Sequence, residues 1–568
     1  MGFRHALRRL WKVPGFSGVA VLTLALGIGA NAAVFAIVDG VLLKPLPYPD
    51  ADRLIVLDHD APGLKLKSAG SAPFLHFTYL DEARTFDHVG LWRTGTASVT
   101  GAGDPEEVRI VSASEGALRC LGVAPMLGRA FTADDDAPSS PETVMLMAGY
   151  WRQRFGGDPN VVGRRVVLDG RARDIIGVMP DGFRFLDRPA SLLVPMRLDR
   201  AQTRLGNFSF QGIARLKAGA TIAQANADAA RMIPLAMKAF PTFPGFSMKV
   251  FEGARLGPQI RPLKDAVVGD VGSVLWVLMG TIGLVLLIAC ANVANLLLVR
   301  ADGRQQELAI RAALGAGRGR LAAEMLIESV TLGAIGGGLG LAMAFAALRA
   351  LRWLAPATLP RSGDIAIDWR VVLFTSLASV FAGLLFGSVP VFRYVRANVV
   401  NALRGGGRTQ STGRDRNVAR SSLVVVQVAL ALVLLVGSGL MIRTFQALRH
   451  VQPGFTAPGT LQTFRVSIPP TQARDEAAVR MAQAIEDKVA AIPGASSVAM
   501  TSFLPMSGSG WHDPIFTGDD RADSTIPPLR TYRHIAPGYF GVMPDGFRFL
   551  DRPASLLVPM RLDRAQTR

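Results

Sequence analysis

The chain has 568 residues, of which 49% are hydrophobic and only 19% charged, with a formal net charge of +18. Its mean hydropathy of +0.29 is too high for an ordinary soluble enzyme. The positive charge does not mark a nucleic-acid binder, because most of it lies in short stretches beside apolar runs, and the two cysteines, Cys120 and Cys290, are too few for a disulfide framework.

About 20 consecutive apolar residues are needed to cross a bilayer as a helix. In chain order, residues 1–15 form a basic cytoplasmic start and 16–38 a first span, too long for a secretory h-region and read as a retained anchor. Residues 39–271 form a large extracytoplasmic domain of mixed α/β character. It opens on the stiff stretch Lys44-Pro-Leu-Pro-Tyr-Pro49. Within it, amphipathic helices are predicted at Phe74–Phe86 and Thr221–Phe240. A hairpin is predicted from Val166–Leu168 and Arg171–Val178, turning at Asp169-Gly170. The second span is 272–299, a loop 300–328 follows, and the third span is 329–350. A short outer connection, 351–370, leads to a fourth span at 371–392. A linker, 393–422, precedes the fifth span at 423–445, and an outer segment follows from 446 to 540.

Lysine and arginine in short flanks set the orientation. Residues 1–15, 299–320 and 393–420 together hold sixteen basic and three acidic residues, whereas 352–370 has three arginines against two aspartates. The three basic stretches are therefore expected inside, which alternates correctly over five crossings and places the N-terminus inside and the C-terminus outside. The expected fold class is a multi-pass α-helical membrane protein, five spans N-in/C-out, with one mixed α/β outer domain, a lipid bilayer as its immediate partner and no nucleic acid.

Two local patterns carry functional expectations. The third span contains Gly333, Gly336, Gly337 and Gly340, whose i,i+4 pairs let helix backbones approach closely in lipid. The loop before it reads as a short helix, with Glu307 and Arg311 at i,i+4 and Gly315 placed as a C-terminal cap. Glu324 and Glu328, four apart, stand where the chain re-enters the membrane. A capped helix joined rigidly to two spans could pass on a push from a cytoplasmic partner; the plain alternative is a solvated loop that obeys the positive-inside rule.

The loop residues Glu307, Leu308, Ala309, Ile310, Arg311, Ala312, Ala313, Leu314, Gly315 and Ala316 resemble the coupling region of MacB/FtsX-type ABC transporter permeases. The opening Arg4-His-Ala-Leu-Arg-Arg9, Ala25-Leu-Gly-Ile-Gly-Ala-Asn-Ala32, Leu43-Lys-Pro-Leu-Pro-Tyr48 and Phe155-Gly-Gly-Asp158 resemble the same family, most of all its duplicated, ATPase-less members from Acidobacteria. The resemblance implies a MacB-like periplasmic core domain at 39–271, an inner-membrane location, and a separate cytoplasmic ABC ATPase that contacts Glu307, Leu308, Ile310, Arg311, Leu314, Gly315 and Ala316. It leaves room for a periplasmic adaptor and implies export. It also implies that 1–392 is one complete unit and that residues from about 417 begin a second, incomplete in this chain.

Residues 541–568 repeat 177–204 without a difference, whereas the residues before the two copies are unlike. An ancient duplication would have drifted throughout, so the copy reads as recent recombination or an assembly artefact. No Gly-x-x-x-x-Gly-Lys-Ser/Thr loop, Gly-x-Ser-x-Gly elbow or His-Glu-x-x-His pair occurs. The chain is therefore read as a non-enzyme that needs no cofactor and no metal. Two rivals stand beside a transporter permease. One is an FtsX-like mechanical regulator of the cell envelope, favoured by spans without a run of buried charges. The other is a membrane-anchored periplasmic enzyme, for which nothing singles out a catalytic pair.

Overall fold

A computed structural model describes residues 8, 10–101, 104–243, 247–269, 271–304, 307, 310–311, 317–354, 361–396, 411–449, 461–468, 471, 473–504, 511–514, 529–532 and 535–536. The chain divides into two compact units, one made of residues 1–45 and 268–450, the other of 46–267 and 451–568.

The first unit is helical. Five of its described helices are long and apolar enough to cross a membrane. The first span, Pro14–Val38, starts on a proline, which is tolerated where the helix has no N–H partner to lose, and runs into one π-helical turn, Asp39–Leu43. The helices that carry the second, third, fourth and fifth spans are Val271–Gly303, Arg318–Leu354, Trp369–Arg396 and Ser411–Arg449. All extend beyond the apolar windows expected for them, the third by eleven residues at its start. Two apolar clusters hold the bundle together. One gathers Leu24, Ile28, Cys290, Val293, Leu332 and Phe386, and the other Val38, Leu275, Leu348, Ile365 and Val371. Phe35 of the first span stacks on Phe374 of the fourth at 4.1 Å. Asn31, buried in the first span, donates to its own Gly27 carbonyl at 2.8 Å and to Ile282 of the second at 3.0 Å, so its amide is satisfied without water. The fifth span turns apolar side chains such as Leu435 and Ile442 outward, as a lipid-facing helix does.

The second unit contains a ten-stranded mixed sheet. Its strands are β1 (Leu54–Asp60), β2 (Phe86–Thr100), β3 (Glu106–Ala113), β4 (Leu127–Gly128), β5 (Thr143–Leu146), β6 (Arg165–Leu168), β7 (Arg171–Val178), β8 (Leu192–Pro195), β9 (Gln211–Leu216) and β10 (Gly257–Pro262). The order is β10-β1-β9-β2-β3-β8-β5-β7-β4, with β6 bonded to both β2 and β7. Most pairs are antiparallel; β3–β8 and β5–β7 are parallel. The hairpin β6–β7 forms as the sequence predicts, with Asp169 and Gly170 at φ of +50° and +75°. Helix Ile222–Ala239 is closed at its start by a reciprocal Thr221–Gln224 capping box. It packs with helix Pro73–Glu82 over β1 and β9, through Phe74, Tyr79, Ala229 and Met232. The Phe74 helix ends at Glu82 rather than Phe86, because Asp228 accepts hydrogen bonds from the amides of Arg84 and Thr85 and turns the chain into β2. Both cysteines are buried and unpaired. Beyond residue 450 the described residues include helix Glu476–Ala490, which buries none of its side chains, and a hairpin of β11 (Trp511–Pro514) and β12 (Leu529–Tyr532). The copied segment 541–568 lies outside the described residues.

His76 is buried in the Phe74 helix with no partner at Nδ1, and desolvation lowers its pKa to about 4. In the unfolded chain it titrates near 6.5, so between pH 6.5 and 4 the unfolded state binds more protons and stability falls as pH falls. The loss over that window approaches about 3 kcal/mol. Asp135, whose carboxylate is held at about 2 against the cost of its desolvation by Arg129 and Thr132, adds its loss only below pH 4. Thermal unfolding of the full chain in nanodiscs should show the outer domain weakening from pH 6.5 downward. His76→Leu should flatten that slope; an unchanged slope contradicts the assignment.

Candidate functional site

The loop singled out by its sequence lies where the second span ends and the third begins. Arg300 and Arg304 sit one turn apart at the end of the second span, and Glu324 and Glu328 one turn apart at the start of the third. Spacing of four places each pair on one helix face, and the faces meet. Glu328 takes Arg300 at 2.9 Å through one carboxylate oxygen and Arg304 at 3.5 Å through the other. Arg311 pairs with Glu307 on its own turn and reaches Glu324 at 3.2 Å. The Arg300 guanidinium also lies 4.8 Å from the ring centre of Phe16, which ties in the first span.

Burial ranks these contacts. Glu307 is half exposed, and an ion pair there contributes about 0.5 kcal/mol. Arg300 and Glu328 are only 11% and 14% exposed, so their attraction is little screened and breaking it is costly. Among the described residues three arginines face three glutamates in this cluster, so the charges balance and tie the two helix ends together. Ile310 is 60% exposed beside it, an apolar side chain presented outward. Leu308, Leu314, Gly315 and Ala316, expected at the same surface, lie outside the described residues.

The third span packs closely on its neighbours through its glycines. A Cβ on Gly340 would stand 2.9 Å from the Ala25 carbonyl oxygen and the Gly29 nitrogen, and one on Gly336 2.7 Å from Leu24 Cβ. Gly333 and Gly337 face the opposite way, against Ser379 of the fourth span. The two pairs thus serve two different neighbours, and both contacts are at van der Waals limits.

Two family profiles match this arrangement. Residues 17–232 match the MacB-like periplasmic core domain, and residues 279–399 match the FtsX-like permease C-terminal. The chain belongs to the MacB/FtsX-type ABC transporter permeases. It is a multi-span inner-membrane protein whose α/β domain is periplasmic. The FtsX-like match contains the Arg300–Glu328 joint and the third-span glycines. Among curated relatives, the permease YknZ of Bacillus subtilis is 25% identical over 49% of this chain and 65% of its own. A macrolide export ATP-binding/permease protein, MacB 1 of Yersinia pestis, is 24% identical over 52% of this chain and 43% of its own. The periplasmic region of MacB from Actinobacillus actinomycetemcomitans aligns at 12% identity with a TM-score of 0.28, over 40% of this chain and 93% of that one. The MacB/FtsX-type permease described here thus spans about two thirds of YknZ and less than half of MacB.

The sequence pairs Glu307 with Arg311 and sets Glu324 and Glu328 four apart, but it does not join the two pairs, and Arg300 and Arg304 read only as topogenic charge. The signal available was a pair of arginines and a pair of glutamates, each four apart, facing each other across a short loop. A second polar group, Asp39, Lys44, Arg361 and Arg370, was not singled out at all.

Proposed function

We propose that this permease converts ATP hydrolysis by a separate cytoplasmic ATPase into a change of shape in its periplasmic domain, and that the 300–328 loop is the surface the ATPase grips. The observation that carries this reading is the Arg300–Glu328 pair. It ties the end of the second span to the start of the third, so a push that reaches either helix end is shared by both. The basic flanks 1–15, 299–320 and 393–420 support an inner location for that loop. MacB 1, whose name joins ATP binding and a permease, supports an ATP-driven role, with the ATPase here on another chain. Nucleotide closure moves the spans only if the closed ATPase prefers one of their arrangements.

Export is the leading use of that motion. Mechanical control of an envelope partner is the second reading, and one observation favours it: the third span meets the first and the fourth at glycines with no room for a further atom, so these helices are closely packed where they cross. Pull-down of the full chain from native membranes should bring down an ABC ATPase whose hydrolysis rises when the permease is present. Recovery of no nucleotide-binding chain would remove the reading. ATP-dependent loss of a loaded macrolide from vesicles containing the complex would select export, and ATP turnover without it the mechanical role.

A further inference from the structure

At the opposite end of the same unit, the first span does not end as ordinary helices do. It widens into the π turn Asp39–Leu43, and its last carbonyls then need donors from elsewhere. They come from the connection between the third and fourth spans. Arg361, 4% exposed, donates Nη1 to the carbonyls of Val41 (3.2 Å) and Lys44 (2.9 Å) and Nη2 to that of Pro45 (2.9 Å). Its Nε is held by Asp364 at 2.9 Å, which fixes the fork. Lys44 in turn reaches Asp368 at 3.0 Å and the Asp364 carbonyl at 3.3 Å. Arg370, at the start of the fourth span, reaches the buried carboxylate of Asp39 at 3.3 Å. Three acids and three bases therefore balance. Gly40 completes the fit, since a Cβ there would lie 3.0 Å from the Asp364 oxygen and 3.1 Å from Ile365 Cα.

We infer that residues 361–370 form a clasp that locks the exit of the first span to the third and fourth spans, and that Arg361 is the positioning residue through which their displacement is delivered to the proline-rich stretch 44–49 leading into the periplasmic domain. The inference rests on the ATP-driven reading for its use but not for its geometry. A helix C-terminus carries partial negative charge, and a planar guanidinium that spans three carbonyls holds it in one orientation. The span, the clasp and the glycine contacts of the third span then move as a single body. Without Arg361 the π turn can rotate about its own backbone while the third span moves, and the motion stops there.

The test uses the full chain in nanodiscs, with the ATPase recovered on the wild-type protein. In Arg361→Ala, amides of residues 40–44 should exchange about tenfold faster or more, while those of the third span keep their protection. Permease-stimulated ATP hydrolysis should stay at the wild-type level, but the ATP-dependent change in exchange across 46–267 should disappear. Arg361→Lys keeps the charge but cannot span three carbonyls, so it should restore only part of that change. Asp364→Asn, which leaves Arg361 in place but releases its fork, should give an intermediate loss. Unchanged exchange at 40–44 in Arg361→Ala overturns the clasp, with or without an ATPase. Loss of ATP stimulation together with the periplasmic change also overturns it, since the residue would then merely stabilise the bundle. If the wild type shows no ATP-dependent change, the ATP-driven reading fails, and the 40–44 exchange alone decides whether the clasp exists.

Discussion

Gly340→Leu is expected to destabilise the membrane unit by about 3 kcal/mol or more, at the upper end of what overpacking costs. The reason is the identity of the atoms that would be struck. The new Cβ meets the Ala25 carbonyl oxygen and the Gly29 backbone at 2.9 Å, and neither can swing aside as a side chain would. The first and third spans must separate, and separation leaves the Gly336–Leu24 contact void as well. Lipid offers no hydrophobic drive to push the helices back together, so lost dispersion contact is not regained elsewhere. Gly338 is the internal control: it lies two residues away in the same helix, with nothing within 4 Å of its Cβ position. Gly338→Leu adds an apolar side chain to a lipid-facing surface and should be neutral. Steric-trap unfolding of the two variants in bicelles measures the difference. Equal stability would mean that the third span does not pack on the first as described.

Why some of this was readable beforehand and some was not follows from the range of each interaction. The spans announce themselves because lipid demands a long apolar helix whatever surrounds it. Their helices run past the apolar windows where charges are matched: the helix that carries the third span starts at Arg318, and its Glu324 and Glu328 find arginines in the preceding segment. The β6–β7 hairpin was legible from Asp169-Gly170, whose backbone requirement is local. The end of the Phe74 helix was not, since the group that stops it, Asp228, lies in a helix far along the chain. The sheet order is hidden for the same reason, with β3 pairing in parallel with β8 only after four intervening strands. At the site, Glu307 and Arg311 share one helical turn and could be paired on spacing alone. Arg361 could not, because its partners are carbonyls of the first span, and a carbonyl leaves no mark in a sequence.

The joint at the other end of the bundle gives the second large effect. Glu328→Gln should cost about 3 kcal/mol, the range for removing one partner of a buried ion pair, because Arg300 and Arg304 then share no carboxylate. On the proposed ATP-driven reading it should also lower permease-stimulated ATP hydrolysis about tenfold or more, since the end of the second span is no longer fixed to the third. Stability and transmission can be pulled apart. Replacing both partners, Arg300→Met with Glu328→Met, removes the buried charges together and fills similar volume, a change that often leaves a fold as stable as before or more so. The double variant should therefore regain stability. It should not regain coupling, because two methionines slide past each other where a carboxylate gripping two guanidiniums does not. A double-mutant cycle on unfolding and on stimulated turnover, in the same preparations, reads both quantities. If turnover recovers along with stability, the joint only holds the helices in place, and the path of force must enter the bundle elsewhere.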